Sequence, residues 1–207
     1  MSTGDAGAFL SRLTRLDPGA LVRLHPTAGG TQLCAVLPWD VLVTRTVADR
    51  LAVEDVTVGA AAMLAALPAG AKLPPARDAE WRWPLPSSPG DVVESVPADV
   101  LRRIGSAAAD TLREAASAGV GGRRVGERAL RDALLDHVAI VVSPEHGGDP
   151  VRVPQRLIQA VLRMGFLGSD AEAPVRVRRA SGWIALAAPF GSAWLRTVSA
   201  LAIHPLV

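Results

Sequence analysis

The stretch PQRLIQAVLRMGFLGSDAEAPVRVRRASGWIALA, residues 154–187, passes from a helix into a hairpin. Pro154 to Met164 reads as a helix. Pro154 is tolerated at its start because a first-turn N–H has no intrahelical partner to lose, and Gly165 ends it. Val175 to Arg179 and Gly182 to Ala187 read as strands joined by a tight turn at Ala180-Ser181. A helix feeding a hairpin, with more helices before it, sets the class as α+β.

Upstream, Pro97 to Ala116 forms a helix with Val100, Ile104, Ala108 and Thr111 or Leu112 as its apolar stripe, ended by Gly119, Gly121 and Gly122. Val125 to Val141 forms a second, with Leu130, Leu134, Val138 and Val141 inward and Glu127, Arg128, Arg131, Asp132 and Asp136 outward. Three helices and a hairpin follow the order of a winged helix-turn-helix, in which the third helix reads nucleic acid. The polar side of that helix and its approach carry Arg152, Gln155, Arg156, Gln159 and Arg163. The hairpin adds Arg176, Arg178 and Arg179. Net charge agrees in sign: residues 1–99 sum to −3 and residues 100–207 to +5. Against a wing, Trp183, Ile184, Leu186, Phe190, Trp194 and Leu195 are too apolar to lie in a groove and resemble a covered sheet.

The first half opens with Ala8 to Leu16, where Phe9, Leu10, Leu13 and Leu16 recur at helical spacing, stopped by Asp17-Pro18-Gly19. Ala20 to Leu24, Thr31 to Leu37 and Asp40 to Val47 read as strands, with Asp55 to Val58 as a fourth running into a helix near Gly59 to Leu67. The N-terminal helix is expected to cover one face of this small sheet. Pro68 to Gly90 holds six of the 16 prolines, marking an extended linker. Within it Trp81 and Trp83 alternate, so an extended chain turns both rings one way. They read as pinning the linker to a domain, or as a stacking platform. The expected organisation is an N-terminal α+β unit over 1–67, a Pro-rich linker over 68–94, and over 95–207 a three-helix unit with a β-hairpin, winged-helix-like.

Composition narrows the class without naming a function. An apolar fraction of 49% and a charged fraction of 20% suit a folded chain with a real core. A net charge of +2 does not make the whole chain a polyanion binder. The single cysteine, Cys34, excludes an intrachain disulfide framework and suits a reducing compartment. The start lacks a basic region ahead of an apolar one, so no signal peptide is expected. Val56 to Ala71 is too short and broken, and Ser181 to Leu195 is interrupted at Pro189-Phe190-Gly191, so no membrane span is expected either.

No motif carries chemistry outright. Of four histidines, His25, His137, His146 and His204, a metal set could draw His137 and His146 with Asp149, but the spacing matches no compact motif. Cys34 lies mid-strand among Leu33, Ala35 and Val36, where a small buried hydrophobe is the common case. There is no Gly-x-Ser-x-Gly elbow. Gly119-Val-Gly-Gly-Arg-Arg124 could cradle a phosphate but lacks the P-loop and Rossmann patterns, and a helix cap with a turn accounts for it.

Several segments carry a resemblance: Phe9-Leu-Ser-Arg-Leu-Thr-Arg-Leu-Asp-Pro18, Trp39-Asp-Val-Leu-Val-Thr-Arg45, Gly165-Phe-Leu167, Gly182-Trp-Ile-Ala-Leu186 and Gly191-Ser-Ala-Trp-Leu-Arg196. Through them the chain is similar to members of an uncharacterised family of actinobacterial proteins. The resemblance implies a source and assigns no activity or site. The expectation is a cytoplasmic, non-catalytic protein acting through an unknown protein partner, with no cofactor and no metal. The alternative is a nucleic-acid-binding regulator that uses the winged-helix-like half.

Overall fold

The computed structural model describes residues 3–67, 72–118, 127–144 and 147–197. The N-terminal helix, α1 (Thr3–Leu16), buries Phe9, Leu10 and Leu13 on one side, as their spacing requires. A meander follows: β1 (Leu21–Thr27), β2 (Gly30–Leu37) and β3 (Val41–Val47), each antiparallel to the next. Gly30 closes the first turn with φ of 134°, and a Cβ there would lie 2.0 Å from the Val47 carbonyl oxygen. β4 (Val56–Gly59) returns to pair with β1, and α2 (Ala60–Ala66) packs on α1.

The second half contributes β5 (Asp91–Pro97), α3 (Ala98–Ala118), α4 (Glu127–Asp136), β6 (Val138–Val142), β7 (Val151–Pro154), α5 (Gln155–Arg163), β8 (Pro174–Ala180), β9 (Trp183–Ala188) and β10 (Gly191–Arg196). The expected helix over Val125 to Val141 stops at Asp136. Val138 to Val142 is β-branched almost throughout and pairs with β7 in a two-stranded ribbon. α5 ends in a Schellman motif: the Phe166 amide donates to Val161 O at 2.9 Å and the Gly165 amide to Leu162 O at 3.0 Å, with Gly165 at φ 66°.

The class is α+β, but the hairpin is not a projecting wing. β8 and β9 are inner strands of an eight-stranded antiparallel sheet ordered β4-β1-β2-β3-β10-β9-β8-β5. The two meanders join where β10 pairs with β3, with Ser192 opposite Thr44, Ala193 opposite Val43 and Trp194 opposite Leu42. The physical reason lies in β9, whose residues Trp183, Ile184, Ala185 and Leu186 are buried whichever face they point to. A wing needs one wet face, and this strand has none.

The helices cover one face of the sheet. Val22, Val43, Leu186 and Ala193 meet Phe9, Leu13, Leu157, Ile158 and Val161 there, and the rings of Phe9 and Phe166 stack with centroids 6.3 Å apart. The opposite face, formed by Cys34, Leu42, Trp183, Ala185 and Trp194, is covered by Trp81, Trp83 and Leu85. The Trp81–Leu85 part of the Pro-rich segment is therefore a sheet cover, and both its tryptophans are partly buried. No helix among the described residues is long and apolar enough to cross a membrane.

Candidate binding groove

The eight residues of the expected nucleic-acid surface do not share one environment. Gln155 is buried at the start of α5. Arg156 is partly buried, ion-paired with Asp136, and donates from Nη1 to the Trp39 carbonyl oxygen at 3.1 Å. Gln159 is partly buried. Arg163 is exposed and lies over the Trp39 ring, 5.8 Å from its centroid. Arg178 donates from Nη1 to Pro89 O and Gly90 O at 3.2 and 2.9 Å, and Arg179 to Asp149 O at 3.0 Å. Arg152 is exposed on β7 and Arg176 on β8. Tertiary packing engages several of the arginines that local spacing would offer to a phosphate backbone.

A cavity lies elsewhere. The β3–β10 ladder stops at Ser192 and Thr44, and beyond it the chain turns through Pro189-Phe190. A groove of about 930 Å3 opens there, lined by His25, Arg45, Ser87, Arg178, Phe190 and Trp194 among others. Arg45 is 8% exposed, and its Nη2 lies 2.7 Å from Oδ1 of Asp5, which is 53% exposed. The Arg45 guanidinium also lies 5.6 Å from the Phe190 ring centroid, a cation–π contact on its other flank. Trp194 Nε1 donates to Thr44 Oγ1 at 3.2 Å, fixing the groove floor.

One wall is organised by Asp55. Arg23 grips its carboxylate bidentately, Nε to Oδ1 at 2.7 Å and Nη2 to Oδ2 at 2.8 Å, while His25 Nδ1 lies 2.9 Å from Oδ2. The Arg23 hydrogen bonds, aided by His25 and opposed by partial burial, hold the Asp55 carboxyl below the usual range. An ionised carboxylate only accepts, so Nδ1 of His25 carries the proton, and Nε2 has no hydrogen-bond partner among the described residues. Arg23 in turn sits 5.9 Å from the Trp81 centroid, tying this wall to the sheet cover.

An aspartate-oriented histidine is part of many catalytic sites, but it needs a nucleophile. Among the described residues no hydroxyl or thiol hydrogen-bonds to His25. Cys34 is fully buried, and that burial pushes its thiol up to about 12, which leaves it protonated and inert. No group of three His, Cys, Asp or Glu could hold a metal ion among the described residues. His137 and Asp149 are exposed, while His146, His204 and the Gly119–Arg124 run lie outside the described residues.

Residues 85–200, more than half of the chain, match the model of the family described as domain of unknown function DUF8185. The chain belongs to that family. Residues 1–83 also match a second description, domain of unknown function DUF8010. No curated protein matches the chain. The junction between the DUF8010 and DUF8185 matches falls within the Trp-bearing sheet cover, and the groove draws on both sides of it. Asp5, His25 and Arg45 come from the first, and Ser87, Arg178 and Phe190 from the DUF8185 portion.

Sequence reading missed Arg45, Asp5, Asp55 and the use of His25. One signal was available: Arg45 shares the register of Val41, Val43 and Val47 on a strand that is otherwise apolar on that face. A cation in such a register either has a partner or serves a ligand. Asp5 and Asp55 carry no such mark, because each is distant in sequence from the residue it holds.

Proposed function

We propose that this DUF8185-family protein is a non-catalytic, cytoplasmic binding protein of actinobacterial origin that acts through protein contacts, and that the groove is where the partner is held. The cytoplasmic setting rests on the lone cysteine, the origin on the sequence resemblance. The observation that carries the binding reading is the groove's lining. Guanidinium, imidazole and hydroxyl groups converge on open space, while no nucleophile among the described residues is bonded to His25. Convergent donors without a nucleophile–base pair suit recognition rather than turnover.

The test is site-specific photo-crosslinking in the native host. A benzophenone side chain at Ser87, in the groove, is expected to trap an adduct of protein mass, and Arg45→Gln is expected to abolish it. The same probe at Ser106, exposed on α3, is expected to trap none. Equal adducts from both positions, or none from Ser87, would reject the reading.

A second reading, nucleic-acid binding, is supported by the exposure of Arg152, Arg163 and Arg176. It requires duplex affinity that falls steeply with salt and is lost in an Arg152→Ala, Arg176→Ala double variant. We expect no such affinity at physiological salt, because Arg156 and Arg179 are engaged with protein acceptors.

A further inference from the structure

Arg45 is almost fully buried, yet its one ion pair among the described residues is to the half-exposed Asp5. A guanidinium carries five N–H donors in a planar fork, and that of Arg45 lines the groove. Asp5 engages Nη2, and no acceptor is seen for the remaining donors among the described residues. Arg45 itself is confined, lying beneath the Phe190 ring on a strand held at this residue by β2, opposite Leu33, one position past the end of the β10 ladder. Asp5, by contrast, stands in the first turn of α1, where solvent and the helix N-terminus both stabilise its charge once released. The fixed partner is the cation, and the replaceable one is the carboxylate.

We infer that the groove receives an acidic peptide segment, one of whose carboxylates displaces Asp5 and engages Arg45. This rests on the protein-contact reading and gives it a chemistry. A planar carboxylate on the guanidinium fork can accept two parallel hydrogen bonds, where Asp5 makes a single close ion-pair contact at Nη2. Arg178 supplies the second cation: its Nη1 holds Pro89 and Gly90, leaving Nη2 and Nε without a protein acceptor among the described residues. The hydroxyls of Ser87 and Ser192 line the same groove and suit a peptide backbone. A nucleotide fits less well, because Trp194 is buried and one face of Phe190 is taken by Arg45. Asp5 thereby acts as an internal competitor that sets the affinity.

Fluorescence anisotropy with a fluorescein-labelled glutamate hexamer tests this on the full chain, with a glutamine hexamer as the neutral counterpart. Binding is expected for the glutamate peptide alone. Asp5→Asn is expected to tighten it about five-fold, the scale of removing an exposed ion pair. Arg45→Gln is expected to abolish it. Should that variant fail to fold, Arg178→Gln must weaken binding instead. Free glutarate is expected to compete only at much higher concentration than the peptide. Unchanged or weaker binding in Asp5→Asn, or equal binding of the glutamine hexamer, would overturn the inference. A crosslinked partner at Ser87 without any glutamate binding rejects the acidic ligand and leaves protein contact standing, whereas absence of both rejects both.

Discussion

Trp39 and Arg156 exchange hydrogen bonds across the two halves of the chain: Trp39 Nε1 donates to the Arg156 carbonyl oxygen at 3.2 Å, and Arg156 Nη1 donates to the Trp39 carbonyl oxygen at 3.1 Å. Each side chain satisfies the other's main chain. The pair docks the first turn of α5 onto the β2–β3 turn and withdraws Arg156 from solvent. It also explains why an arginine at ideal spacing for a reading helix is a structural residue here.

Because each bond runs from one side chain to the other's backbone, the two can be removed separately. Trp39→Phe and Arg156→Gln are each expected to cost about 1 kcal/mol in urea unfolding. The double variant is expected to cost their sum to within about 0.5 kcal/mol. A large coupling energy would show that the side chains act on each other directly.

Asp55 sets an acid dependence. Its carboxyl is held below the ordinary value of about 3.9, so its pairing with Arg23 and His25 stabilises the fold fully above that value. That contribution is lost as pH falls through the lowered folded value. Asp55→Asn is expected to cost about 1 kcal/mol at pH 7, a modest figure because solvent screens the cluster. The gap between variant and parent should close as pH falls through the lowered folded value. A gap that is constant in pH, measured by urea midpoints, would assign the effect to shape rather than charge.

Cys34 is expected to be silent to a thiol reagent at pH 8 in the folded protein and to react stoichiometrically once unfolded. Its burial, which pushes the thiol up to about 12, leaves almost no thiolate at that pH. Rapid modification of the native protein would mean that the sheet cover formed by Trp81 and Trp83 opens readily.

Gly30→Ala is expected to cost roughly 2–4 kcal/mol, read as a fall in Tm. The new methyl would meet the Val47 carbonyl oxygen at 2.0 Å and sit at a φ that favours glycine. Neighbouring Gly29→Ala, with nothing within 4 Å, is expected to change stability by less than about 0.5 kcal/mol. Equal effects at the two positions would contradict the turn geometry.

Local chemistry decided much of this protein. Apolar spacing placed α5 to within a residue at each end and the end of α1 at Leu16, though α1 begins at Thr3, five residues before the expected start. Gly165 marked the end of α5, and the turn between β8 and β9 was placed one residue early, since Ala180 pairs with Trp183 and the turn is Ser181-Gly182. Those features depend on residues a few positions apart, so the order of residues specifies them. β5 and the β6–β7 ribbon were not legible, because Asp91–Pro97 is short and edge-exposed and the valines of β6 fit helical spacing as well as a strand. Tertiary structure alone decided that the two meanders share one sheet, that the Pro-rich segment covers its second face, and that a groove opens where β10 leaves β3. The bond from Trp194 to Thr44 spans 150 residues. Such a pairing leaves no periodicity in the sequence, because it is selected by the burial of two apolar faces against each other, not by any neighbour along the chain.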